Sequence, residues 1–182
     1  MKKLIILMAV ALISSVTLSQ TIESSLIKKI NELRLQHGGT ANGLSPFIRN
    51  SSLDSAAMYH AHWVVASGIG SHIESKSAKG IIPLAEFWDR SAKYGATAYC
   101  ENLIQYCLYV KSDTILNINQ TATRAFETWK KSPGHLANIL FSMPKNVEPR
   151  VGIAIVPQPD GDSFCIVMVV GSNVDRTGHL IK

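Results

Sequence analysis

The chain has 182 residues, 46% apolar and 17% charged, with a formal net charge of +5. That is enough for one domain with a real core, and the composition excludes a disordered tail. It also lacks a dense Lys/Arg run with interleaved aromatics, which argues against a nucleic-acid partner.

Part of the apolar excess is local. Lys2 and Lys3 precede an apolar run from Leu4 to Ile13, followed by small and polar residues up to Ser19. This is the order of a secretory signal peptide, so 1–19 is expected to be a leader and 20–182 a single exported domain. The destination would be secreted, periplasmic or extracellular. The apolar run is short for a membrane span, and no other stretch could cross a bilayer once the leader is cleaved. Removing Lys2 and Lys3 lowers the net charge from +5 to about +3.

From Ile22 to His37, Ile22, Leu26, Ile27, Ile30 and Leu33 recur at three- and four-residue spacing. The spacing predicts an amphipathic helix, capped by Thr21 or Ser24 and stopped at Gly38-Gly39, with Asn31 and Arg34 at the surface or in local hydrogen bonds. Turn residues from Gly39 to Asn50 predict a loop. Ser51 to Ser67 reads as a second helix ended by Gly68. His60 falls on its apolar stripe, as a hydrogen-bonded core residue, while His62 is partly exposed. Their spacing turns the two rings about 200° apart, so they cannot share one metal.

Gly68 to Ile82 is Gly/Ser-rich and carries His72. Pro83 to Tyr94 predicts a third short helix with Phe87, Trp88 and Arg90, Trp88 being a core or groove-wall anchor. Ala98 to Val110 reads as strand, with Glu101 and Asn102 interrupting its apolar character. A carboxylate there must be exposed at an edge, paired or hydrogen-bonded. Lys111 to Gln120 reads as a linker and Thr121 to Lys131 as a helix. Val151 to Val156 and Phe164 to Gly171 predict strands joined by the turn Pro159-Asp160-Gly161-Asp162 into a hairpin.

The most informative stretch is Phe126 to Leu140, FETWKKSPGHLANIL. Ser132 ends one helix or N-caps the next, and Pro133 sits at the first helical position, where its missing N–H costs nothing. His135 then lies in the first turn, where the positive end of the helix dipole disfavours imidazolium and favours a ligand-competent neutral ring. Asn138 follows as a residue that could hold a loop.

The three cysteines are Cys100, Cys107 and Cys165. In an exported chain one disulfide is expected. Cys100 and Cys107 would point to opposite faces of a straight strand, so a cross-strand pair with Cys165 is as acceptable as a local one, and three buried thiols is the remaining possibility. Asn50-Ser-Ser and Asn119-Gln-Thr match the N-glycosylation acceptor pattern.

The order INELR (Ile30 to Arg34), YHAHWVVASG (Tyr59 to Gly68), Ser71-His72, CENL (Cys100 to Leu103), FETWKKSPGHLANIL, VGIAIV and FCIVMVVG resembles the CAP superfamily of cysteine-rich secretory, antigen 5 and pathogenesis-related proteins, in its short prokaryotic branch. The resemblance covers roughly residues 22 to 172. It implies an α+β fold, a three-layer α-β-α sandwich with a small antiparallel sheet flanked by helices. It also implies a cleft where two histidines and two acidic residues meet. The histidines map to His72 and His135 and one carboxylate to Glu101. The second carboxylate maps to Ser132, so one acidic group of the usual set is missing.

Chemically, two neutral imidazoles can hold Zn²⁺ or another divalent cation weakly, with Glu101 orienting one ring, and with Ser132 and Asn138 in the same cleft. The expected function is a non-enzymatic extracellular module for a small-molecule, lipid or protein ligand. The alternative is a metal-dependent hydrolase with Glu101 as base, for which no complete nucleophile-base set is visible.

Overall fold

The structure, a computed structural model, describes residues 22–108 and 116–173. The expected leader, the first half of the expected linker and the residues after Asn173 lie outside the described residues.

Helix α1 covers residues 22–36, as the apolar spacing requires. A 3-10 turn, Gly39–Asn42, leads to a two-residue strand β1, Ile48–Arg49, inside what composition alone marks as loop. Helix α2 spans Ser51–Ser67. Asn50 is its N-cap and accepts from the Leu53 N–H at 2.9 Å, while Gly68 closes it at φ 71°. The Asn50 amide also donates to Asn173 Oδ1 and the residue is 8% exposed. Its acceptor motif is therefore occupied by the fold.

Helix α3 is shorter than expected, Phe87–Lys93 instead of a start near Pro83. The preceding backbone is already committed: Glu74 N–H donates to Ala85 O, and Leu84 N–H donates to the Glu74 carboxylate at 2.7 Å. These bonds hold the segment out of helical form. Strand β2 runs Thr97–Leu108. Helix α4, Leu116–Lys131, begins inside the expected linker because Ile118 continues the apolar row of Ala122, Ala125, Phe126 and Trp129. Helix α5 is Pro133–Ile139, and strands β3, Arg150–Pro157, and β4, Ser163–Ser172, form the expected hairpin. Asp160 closes its turn by accepting from the N–H groups of Asp162 and Ser163.

The sheet has the order β1-β3-β4-β2, antiparallel except for the short parallel β1–β3 pair. Both its faces are covered. Val151, Ile153, Ile155, Ile166, Met168 and Val170 point toward α1, α4 and α5. The alternate residues Ala154, Val156, Val167 and Val169 point toward α2, with Phe87 of α3 packed on that side. This is why the hairpin strands read as continuous apolar runs. The result is the α-β-α sandwich of an α+β protein. Among the described residues no helix is long and apolar enough to cross a membrane.

Two expectations need correction. Arg34 is not a surface residue. It is fully buried, donates to the carbonyls of Ser45, Ile139 and Phe141 at 2.9, 2.7 and 3.0 Å, and lies 3.8 Å over the Phe47 ring. Burial lowers its pKa to about 10. No disulfide forms either: all three cysteines are buried free thiols. The register of β2 against β4 slips between Ile104 and Cys107, so Cys100 and Cys107 share the α1/α4 side, while Cys165 is packed on the α2 side. Seven residues of strand span roughly 20 Å, far beyond disulfide reach, and the sheet itself separates Cys165 from the other two. Burial pushes the Cys100 and Cys165 thiols up to about 12.

Candidate functional site

The site is built where β2 passes between the loop after α2 and the short helix α5. Ser132 takes the N-cap position of α5, with φ −97° and ψ 117°, and Pro133 occupies the first turn, but the Ser132 side chain makes no capping hydrogen bond. Asn138 does not hold a loop. It donates to the Glu101 carbonyl at 3.0 Å and to Asn102 Oδ1 at 2.8 Å, and Asn102 in turn donates to the His135 carbonyl at 3.1 Å. Two amides therefore stitch α5 to β2 and fix the His135 backbone against Asn102.

Glu101 is neither exposed nor unpaired. It is 4% exposed, and Arg90 of α3 grips it with one guanidinium nitrogen 2.9 and 2.8 Å from its two carboxylate oxygens. The His72 Nδ1–H donates to Oε1 at 2.9 Å. His72 is about half exposed, at 48% for its side chain, so this bond leaves Nε2 for solvent or a ligand. Arg90 also donates to the carbonyls of His72 and Ala85, at 3.2 and 3.0 Å. One fully buried guanidinium thus holds both the carboxylate and the backbone of the histidine that the carboxylate orients.

Beneath this pair lies a second one. His60 Nδ1 is 3.0 Å from Glu74 Oε1, and its Nε2 stands 3.6 Å from Glu101 Oε1, beyond hydrogen-bond distance. Arg90 is 3.6 Å from Glu74. His60 is the buried, hydrogen-bonded residue its stripe implies, and it also adjoins Glu101. The sequence singled out neither Glu74 nor Arg90 for this role. The available signal was chemical: a buried His at position 60 and a strand carboxylate at 101 both require partners. Nothing in the one-dimensional spacing says which of the neighbouring charged residues supply them.

The electrostatics follow from these contacts. Burial by itself would raise the Glu101 pKa. The hydrogen bond from His72, the charges of His60 and Arg90, and the Arg90 hydrogen bonds outweigh it and hold the carboxyl below its ordinary range. His135 is lowered, first by burial and then by the charge of His72. Its Nδ1 is buried without a hydrogen-bond partner. Among the described residues no group of three or more His, Cys, Asp or Glu side chains is arranged to hold a metal ion.

Acid stability follows with a definite sign. A carboxyl whose folded pKa lies below its unfolded value contributes stability that is complete above the unfolded value, 4.5, and is lost as pH falls through the folded one. His135, also depressed, adds a loss below its ordinary 6.5. We expect urea midpoints to fall between about pH 7 and about pH 3, and Glu101→Gln to flatten the part of that decline below pH 4.5.

A three-layer sandwich with a His72–Glu101 pair where β2 meets α5 defines the class of protein. The model of the cysteine-rich secretory protein family, CAP, matches residues 27–170, and the chain belongs to this family. Among solved structures it is similar to an outer surface protein from Borrelia burgdorferi, with TM-score 0.57 and 14% identity over 83% of this chain and 92% of that one. It is also similar to an extracellular protein containing a SCP domain from Bacillus anthracis str. Ames, with TM-score 0.54 and 17% identity. There the match covers 85% of this chain and 40% of the other. At these identities the likeness shows the shared fold. Comparison with curated proteins finds no match.

Proposed function

We propose that the chain is an extracellular ligand-binding module without catalytic activity, and that its cleft holds a divalent cation weakly between His72 and His135. The observation that carries this reading is the state of Glu101. Its oxygens are occupied by Arg90 and the His72 ring, and its pKa is held low. A general base needs a lone pair aimed at its water and a pKa near the working pH. Glu101 has neither, so it serves as an orienter of His72. The metal-dependent hydrolase reading loses its base on this ground, and Ser132, where a second carboxylate would stand, offers no replacement.

His72 and His135 fit a borderline cation such as Zn²⁺, with water completing the shell. A bound ion would supply a Lewis-acidic anchor for an oxygen or nitrogen donor of a ligand. An apolar groove of about 380 Å³, lined by Phe87, Trp88, Ala98, Tyr99, Pro144 and Val147, shares α3 and β2 with the cleft and supports ligand binding there. The family membership and the extracellular and outer-surface neighbours support the location.

The test is calorimetric titration of Zn²⁺ into metal-free protein beside His72→Ala and His135→Ala. One weak site in wild type, lost in both variants, is the expected result. Affinity falls as pH drops, because imidazolium cannot ligate. No binding in wild type, or equal binding in the variants, overturns the cation reading.

A further inference from the structure

On the sheet face away from α1, α2 and the end of α3 form a second recess. It measures about 400 Å³ and is lined by Asp54, Ser55, Met58, Tyr59, His62 and Tyr94. Five of these six lie along one stripe of α2, and Tyr94 follows α3 directly. The cleft of His72, Glu101 and His135 contributes none of them.

The two tyrosines form a corner. Their ring centroids are 6.4 Å apart and their planes are inclined at 59°. Tyr59 is fixed there by a hydrogen bond from its hydroxyl to the Ile82 carbonyl. The corner already holds a cation: the Lys93 ammonium stands 4.4 Å from the Tyr59 centroid and 5.8 Å from that of Tyr94. Both distances lie within cation–π range. Asp54 at the rim is already paired with Arg49 at 2.8 Å and adds little.

We propose that this corner is a binding site for a small soluble quaternary ammonium compound of the choline class, and that Lys93 is a tethered competitor occupying it in the free protein. A primary ammonium is compact and strongly hydrated, and it gives up that hydration at a cost when laid on an aromatic face. A quaternary ammonium is weakly hydrated, carries its charge on methyl groups and gains more from the same rings. The recess falls in the size range of small-molecule sites. Met58 offers an apolar, polarizable wall to the methyl groups.

The sign of one substitution separates this site from an ordinary surface Lys–Tyr contact. Choline is titrated into the full protein, followed by NMR of the tyrosine ring protons, in wild type, Lys93→Gln and Tyr59→Leu. The neutral isostere 3,3-dimethylbutanol serves as the uncharged probe. Weak choline binding is expected in wild type, tightened roughly twofold to fivefold in Lys93→Gln and lost in Tyr59→Leu. The alcohol should not bind. Lys93 is an exposed side chain, so its replacement leaves the fold intact and keeps the test decisive if Tyr59→Leu fails to fold. Absence of choline binding in both wild type and Lys93→Gln overturns the proposal. So does equal binding of the alcohol, or retention on phosphatidylcholine vesicles without any binding of free choline.

Discussion

Arg90→Met should destabilise the protein by about 3–5 kcal/mol, the cost of leaving a buried carboxylate without its partner. Arg90 and Glu101 have fully buried side chains and meet at 2.8 Å, with Glu74 3.6 Å from the same guanidinium. Removing the guanidinium strands two carboxylates in low dielectric and frees the carbonyls of His72 and Ala85. Arg90→Lys keeps the charge but cannot present the planar, multiply donating face, so it should fall between wild type and Arg90→Met. Adding Glu101→Gln to Arg90→Met should recover part of the loss, because one of the two stranded carboxylates is then neutral, and a double-mutant cycle by urea denaturation reads the coupling. A loss under about 1 kcal/mol would mean that the pair is open to water and does not organise the cleft. The same variant should weaken Zn²⁺ binding, since Arg90 sets both anchors of His72.

Gly152→Ala should cost about 3 kcal/mol or more, with a fall in Tm of roughly 10 °C. Gly152 lies where β3 passes under α2. A Cβ there would stand 2.1 Å from the Leu53 carbonyl carbon and 2.3 Å from the Asp54 nitrogen. Both obstacles are backbone atoms in the first turn of α2, where Asp54 also accepts from the Ile153 N–H at 2.9 Å. Neither side can yield without separating helix from sheet. Gly161→Ala, in the hairpin turn at φ 70° with open space around it, is the control. It carries only the left-handed backbone penalty, about 1 kcal/mol. A thermal melt of the two variants compares the mechanisms, and equal losses would refute the close-approach account of Gly152.

Much of the fold is legible because it depends on local periodicity. The apolar rows of α1 and α2 follow from the 3.6-residue repeat, and the hairpin strands stand out as uninterrupted apolar runs on either side of a turn. The turn chemistry of Gly68, Pro133 and Asp160 marks ends that the structure retains. Errors arise where a distant partner overrides local preference. Glu74 captures the backbone before α3 and delays that helix to Phe87. A slip in the β2 register turns Cys107 to the same side as Cys100. Arg34 sits on a helix position that reads as surface, yet the carbonyls at the end of α5 and the Phe47 ring draw it inside. Asn138 binds a strand because α5 docks against β2.

The sequence by itself determined the α+β class, the positions of α1, α2 and the hairpin, and the family, through motifs that keep their order along the chain. It also named His72, Glu101 and His135 through that resemblance. Only the tertiary structure decided what state those groups are in. The hydrogen bond of His72 to Glu101 joins residues 29 apart, and the Arg90 grip joins a helix to a strand. Such contacts depend on how layers pack, and charge pairing carries no period that one dimension can display. The buried guanidinium turns a strand carboxylate into a fixed anion that orients a histidine, a chemical role set by the protein's interior.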